Sequence, residues 1–101
     1  MIIDVGKEAR DNLSAIAFYT FLNFGERQMY IYNEQFEFDF KRIARNPNVG
    51  KKRPEIGGEI FSIVSGSHVI FYKVKINVLY IIKVVHGSRD IPKEFRLDDE
   101  N

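Results

Sequence analysis

The sequence predicts an α+β domain in which an N-terminal antiparallel helical hairpin packs on a small antiparallel sheet of three or four strands. Three observations carry this reading. Apolar residues recur every three or four positions as far as Ile43, the spacing of helices with one buried stripe. Beyond Glu59 the pattern changes to short runs rich in Val, Ile, Phe and Tyr, as strands require. A single break at Gly25 separates the two helical stretches, so they fold back on each other as antiparallel neighbours. With 101 residues the chain is long enough for one compact domain and too short for two. Residues 1–101 are therefore read as one domain, with the acidic end, residues 96–101, expected to be disordered.

Taken in order, Ile2 to Val5 can add a short edge strand. The first helix runs from Lys7 to about Asn23, with Ala9, Leu13, Ile16, Ala17, Thr20 and Phe24 on one stripe. Phe18, Tyr19 and Phe21 widen that stripe, which implies that the helix is covered on more than one side. Gly25 stops it, because glycine readily takes the backbone conformation a helix end needs. The second helix runs from about Glu26 to Ala44, with Met29, Tyr32, Phe36, Phe40 and Ile43 facing inward. Pro47 ends it, since proline disfavours helix in the residue before it. Lys51 to Gly58 reads as loop.

Three strands follow: Glu59 to Ser65, Ser67 to Lys75 and Val78 to His86. Placing His68 opposite His86 sets Ile70 against Val84, Tyr72 against Ile82 and Val74 against Tyr80, an apolar set on one face. Sliding the strands by one residue would put Ile70 opposite Lys83 and spoil that face. In the first register Phe71, Leu79 and Ile81 fall on the other, mixed face of the sheet. An apolar group on an open sheet face suggests a partner.

Composition excludes some chemistries. The chain has no cysteine, so disulfides, thiolate metal sites and cysteine nucleophiles are out. The start lacks the features of a signal peptide. No apolar run approaches the roughly 20 residues of a membrane helix, and a cytoplasmic protein without membrane association is expected. Net charge is +1, but Lys41, Arg42, Arg45, Lys51, Lys52 and Arg53 form a local basic run without an acid. That run contains no aromatic residue, which argues against direct single-strand nucleic-acid binding. His68 and His86 make a poor metal site by themselves, because structural zinc wants four ligands. Ser65 and Ser67 lie near His68, yet no acid is placed to orient it as a base. Tyr72 reads as core. No cofactor and no catalytic residue is expected.

Several segments resemble one known family. Gly66-Ser67-His68-Val69-Ile70-Phe71-Tyr72 resembles the "GSHVIFY" strand of ParE toxins, and Val84 to Asp90 resembles their closing "VLHG-x-x-D". Ala44 to Gly50 is similar to the family's "LA-x-NP-x-xG" between helix and sheet. Leu13 to Thr20 is similar to its first-helix "DL-x-x-I-x-x-YT", with Asn12 where Asp is usual. Phe24-Gly25-Glu26 and Gln28 resemble the start of its second helix. Each motif is weak alone, but all occur in order over nearly the whole chain.

The resemblance implies a helical hairpin on a small antiparallel sheet, in agreement with the reading above. It implies the toxin of a bacterial type II toxin–antitoxin pair, one that inhibits DNA gyrase by protein–protein contact and is neutralised by a ParD-like antitoxin. It implies no enzymatic activity. One departure is Phe61, which stands seven residues before His68 where relatives usually carry Arg. The neighbouring RelE branch cleaves messenger RNA on the ribosome and needs basic groups on the sheet to steady a phosphate. Here the first long strand has none, leaving Lys73, Lys75, Lys83 and Arg89 as substitutes. Ribonuclease activity is therefore the alternative, and a degenerate toxin that only binds antitoxin is a third reading. For target contact the candidates are Lys51, Lys52, Arg53 and Arg89, because loops and sheet ends commonly carry binding function. For antitoxin contact they are Phe71, Leu79 and Ile81.

Overall fold

The computed structural model describes residues 1–87; Arg89, the last part of the closing motif and the acidic end lie outside them. Strand β1 (Ile2–Val5) leads into helix α1 (Lys7–Phe24), and Gly25 joins it to helix α2 (Glu26–Arg45). A 3-10 turn, Pro47–Val49, passes to the two-residue strand β2 (Lys51–Lys52). Strands β3 (Phe61–Ser65), β4 (His68–Lys75) and β5 (Val78–His86) complete the fold. The sheet order is β1-β5-β4-β3-β2. Among the described residues it is a sheet of five strands, not three or four, and it is mixed, not antiparallel, because β1 runs parallel to β5. The long helical hairpin between them supplies the crossover that a parallel pair needs.

The helices cover one face of the sheet. Ala9, Phe36, Phe40 and Ile43 from the hairpin pack on Ile70, Tyr72, Leu79, Ile81 and Val84. Burying such side chains stabilises by about 1.5–3 kcal/mol each. His68 pairs with His86 and Ile70 with Val84, as the sequence suggests, but beyond them the register changes. Phe71 pairs with Lys83 and Tyr72 with Ile81, so Ile82 is an extra residue bulged out of β5. Because side chains alternate with period two, one extra residue exchanges the faces of everything before it. Leu79 and Ile81 thereby move beneath the helices, where both are fully buried.

The far face is covered too. Gly57 and Gly58 both hold positive φ, which lets the loop after β2 fold back beneath the sheet. Ile56 and Ile60 then pack on Phe71 and Val85, with Val69 and Ile82 beside them. Phe71 is fully buried and the Arg53 guanidinium lies 5.6 Å from its ring centroid. The segment from Lys51 to Gly58, expected as plain loop, thus contributes an edge strand and a second small core.

Two local devices explain motifs visible in the sequence. The Tyr72 hydroxyl donates to the Pro47 carbonyl at 2.8 Å and accepts from the Gly50 N–H at 2.9 Å, which ties the Asn-Pro turn to the sheet. A Cβ on Gly50 would collide with that hydroxyl and lie 2.9 Å from the Ser62 carbonyl oxygen, so the turn closes only with glycine there. Tyr72→Phe is expected to cost about 1–3 kcal/mol, since it leaves a part-buried N–H and carbonyl unmatched; a urea midpoint unchanged from wild type would contradict this. On the other side, β1 pairs with β5 only as far as Ile81. Beyond it, the Val84 N–H donates to Asn12 Oδ1 at 3.0 Å. The side chain at position 12 therefore acts as an acceptor for an edge amide, a role that Asp fills equally well.

The β4–β5 turn carries a strained residue. Ile76 has φ +58° and is 94% exposed. A β-branched side chain disfavours that region, at a cost of about 1–2 kcal/mol, and so exposed a side chain contributes little packing. Ile76→Asn is expected to raise the thermal midpoint by relieving about 1 kcal/mol. A lowered midpoint would show that the turn depends on the isoleucine.

Candidate partner-binding surface

From Asn12 to Gly25 the chain has no charged residue. Only one stripe of that stretch faces the sheet, with Leu13 and Ile16 against the core and Thr20 buried. Thr20 satisfies its hydroxyl on the Ile16 carbonyl at 2.7 Å. The rest of α1 is apolar and open: Phe18, Tyr19, Leu22 and Phe24 are each more than 60% exposed. Across the Gly25 turn, Tyr30, Ile31 and Phe38 on α2 are exposed as well. A helix that is hydrophobic on all sides is normally covered on all sides. Phe24, expected on the buried stripe, instead lies outside with its ring edge-on to Tyr19 at 6.5 Å.

Beside this surface a cleft of about 750 Å³ separates α1 and the start of α2 from the ends of β4 and β5. Its walls include Tyr19, Phe24 and Tyr32, and at one end are His68 and His86. The two imidazoles are cross-strand partners with ring centroids 5.4 Å apart, and the buried Phe36 ring packs edge-on against His68 at 5.7 Å. Burial, and then the neighbouring His86, hold His68 below its ordinary pKa of 6.5. A histidine with a depressed folded-state pKa contributes stability that is whole above its unfolded value and is lost as the pH falls below it. Stability is therefore expected to fall between about pH 7 and pH 5, less steeply in His68→Phe than in wild type. Parallel urea midpoints for the two proteins across that range would contradict the assignment.

The residues singled out in the sequence fare differently. Phe71, Leu79 and Ile81, read as an exposed antitoxin face, are fully buried, because of the bulge at Ile82 and the loop beneath the sheet. Lys51 and Lys52 are exposed on the edge strand β2. Arg53 is engaged within the fold: its Nε contacts Glu55 at 2.6 Å and its Nη1 donates to Ser62 at 3.1 Å. Its ion pair holds the Glu55 carboxyl below its ordinary range. Arg89 lies outside the described residues. Lys83 is buried and paired with Glu8 at 3.0 Å, whereas Lys73 and Lys75 are exposed. Phe61 stacks on Tyr72 with centroids 5.4 Å apart and packs on the main core, a position where an arginine would have to pass over the same ring. Among the described residues no group of three or more His, Asp, Glu or Cys could hold a metal ion. In sequence the hairpin surface shows only as aromatic residues in excess of one buried stripe, Phe18, Tyr19 and Phe21, because helical spacing of apolar residues reads alike for a core and for a partner; the uncharged run Asn12–Gly25 is the sharper signal.

Comparison with known proteins places the whole arrangement. Residues 3–91 match the family described as ParE toxin of type II toxin-antitoxin system, parDE. The chain belongs to the ParE toxin family. Toxin ParE1 of Caulobacter vibrioides is 30% identical over 84 residues, covering 83% of this chain and 86% of that protein. A solved structure of the chromosomal ParDE system from P. aeruginosa superposes with a TM-score of 0.73 at 16% identity, over 85% of this chain and 95% of the other. That likeness is one of fold: two helices on a small sheet, as found here. Among the described residues of this ParE-family chain, no helix is long and apolar enough to cross a membrane.

Proposed function

We propose that this ParE-family chain is a cytoplasmic toxin that arrests growth by binding DNA gyrase, and that a ParD-like antitoxin neutralises it by covering α1 and the end of the helical hairpin. The observation that carries the antitoxin part is the uncharged stretch of α1, whose aromatic outer face is exposed in the chain alone. Exposed apolar surface of this extent marks an interaction site. Among the described residues the sheet offers no comparable surface, now that Phe71, Leu79 and Ile81 are accounted for as core. Action without catalysis is supported by what the cations do. Lys83 and Arg53 are both engaged in ion pairs within the fold, and β3 carries no basic residue. A ribonuclease would need such groups converging on a phosphate.

For target contact the exposed pair Lys51 and Lys52 remains, and Arg89 remains a proposal from sequence. Lysines on an edge strand also discourage pairing with other sheets, so their contribution to toxicity has to be separated from that role by mutation. The test of the overall reading is growth. Inducing the chain from a tight promoter is expected to stop colony formation, and co-expression of its cognate ParD-like antitoxin is expected to restore it. Normal growth while the folded protein accumulates would contradict the reading.

A further inference from the structure

The outer side of α2 carries a pattern that the antitoxin reading does not use. Tyr30, Glu34, Phe38, Lys41 and Arg45 recur every three or four residues, and all five are exposed. With Ile31 they fall within about a third of the helix circumference at 3.6 residues per turn, away from the buried Phe36, Phe40 and Ile43. Tyr30, Ile31 and Phe38 form an apolar seam, each about half exposed. The charges on this stripe change sign along it, from Glu34 to Lys41 and Arg45. The helix dipole favours acids in the first turn and bases in the last, but its effect falls off within that turn. Glu34 stands well inside this 20-residue helix. Among the described residues Glu34, Lys41 and Arg45 form no ion pair within the chain, whereas Arg42 is held by Asp39 at 3.5 Å. A shallow hollow of about 400 Å³ is lined by Tyr30 and Ile31 together with Glu26, Arg27 and Glu34. An aromatic ring with two carboxylates nearby suits a guanidinium.

We propose that this stripe is the seam of a homodimer, in which a second copy lays its own α2 antiparallel along it. A two-fold interface must be complementary to itself, so that residue i meets j wherever j meets i. The sign change along α2 meets that condition when the axis passes between Glu37 and Phe38. Glu34 and Lys41 then lie equally far on either side of the axis, and so do Tyr30 and Arg45. Each Glu34 meets Lys41 of the second copy, and each Tyr30 hollow takes Arg45 of the second copy. The two Phe38 rings cover each other near the axis, and Glu37 falls at the margin of the stripe. An unrelated partner would need the reverse order of charges, which a second copy has by symmetry. With 20 residues α2 is about 30 Å long, so one face of it covers less than the roughly 800 Å² per partner of a standard interface. The dimer is accordingly weak, with a Kd of about 100 µM. It uses α2 and stands independently of what binds α1.

Sedimentation equilibrium of the purified full chain, from about tenfold below to tenfold above that Kd, reads the outcome. The chain is expected to pass from monomer to dimer across the range, and to return toward monomer in about 1 M sodium chloride, which screens exposed ion pairs. Glu34→Lys and Lys41→Glu are each expected to weaken the dimer about tenfold or more, because one substitution sets like charges together at two symmetry-related places. Mixed in equal amounts, the two variants supply each other's missing partner and are expected to associate about as tightly as wild type. Phe38→Ser, which leaves the charges alone, is expected to weaken the dimer about tenfold. All three side chains are exposed, so thermal melts by circular dichroism should match wild type and show that each variant is folded. A chain that stays monomeric throughout, a dimer that neither reversal weakens, or a mixture no tighter than its parts would each overturn the proposal. If the chain alone stays monomeric while Glu34→Lys and Phe38→Ser weaken antitoxin binding, the stripe belongs to the antitoxin and the homodimer is refuted.

Discussion

Phe71→Asp is expected to abolish cooperative folding, and Leu79→Asp and Ile81→Asp are expected to do the same. All three side chains are fully buried. Removing a large apolar group from a packed core costs about 2–5 kcal/mol, and an unpaired buried carboxylate adds several more or must be protonated. Domains of this size are stable by only about 5–15 kcal/mol in total, so the sum consumes most or all of it. Arg53 lies near Phe71, but it is already engaged by Glu55 and Ser62, and Leu79 and Ile81 belong to the other cluster, under the helices. Circular dichroism and a thermal melt read the outcome. The alternation of the strands by itself suggests the opposite result, a folded Phe71→Asp with weakened antitoxin binding. Finding that protein folded would return the sheet face to the list of docking surfaces.

Leu22→Glu and Phe18→Glu are expected to behave in the reverse manner. Both side chains are more than 60% exposed, so stability should stay within about 0.5 kcal/mol of wild type. A charge placed in the middle of a desolvated apolar interface removes a contact and adds a buried ion. Residues at such positions cost about 2 kcal/mol or more when lost, and affinity for the antitoxin should fall about 30-fold or more for each. Calorimetric titration with the antitoxin, alongside urea denaturation of each variant, separates the two effects. Unchanged affinity in both variants would remove α1 from the antitoxin interface.

The helices, their break and the three main strands were legible because each follows from a local rule. Gly25 stops α1, Pro47 stops α2, and the apolar period changes from helical to strand-like at the first long strand. The paired histidines were legible because only one register keeps Ile70 opposite Val84. The bulge was not legible. Leu79, Tyr80, Ile81 and Ile82 are all apolar or aromatic, so either alternation satisfies the pattern, and the choice depends on packing against the helices and on β1. The parallel placement of β1 likewise depends on the whole hairpin acting as a crossover. The loop after β2 was misread because its two isoleucines are spaced among polar residues and glycines, and only the fold shows Phe71 waiting above them. At the candidate site the histidine pair was visible in advance, while the docking surface showed only as an excess of aromatic residues on α1. Phe18, Leu22 and Phe24 look like core until the sheet proves too small to cover every side of α1.

The most direct measurement of the central claim is a supercoiling and cleavage assay with purified gyrase, ATP and plasmid across a range of this protein. Supercoiling is expected to fall and linear DNA to accumulate as the toxin is added, with both effects reversed by the antitoxin and weakened when Lys51 and Lys52 are replaced. Full supercoiling activity in the presence of an excess of folded toxin would contradict it.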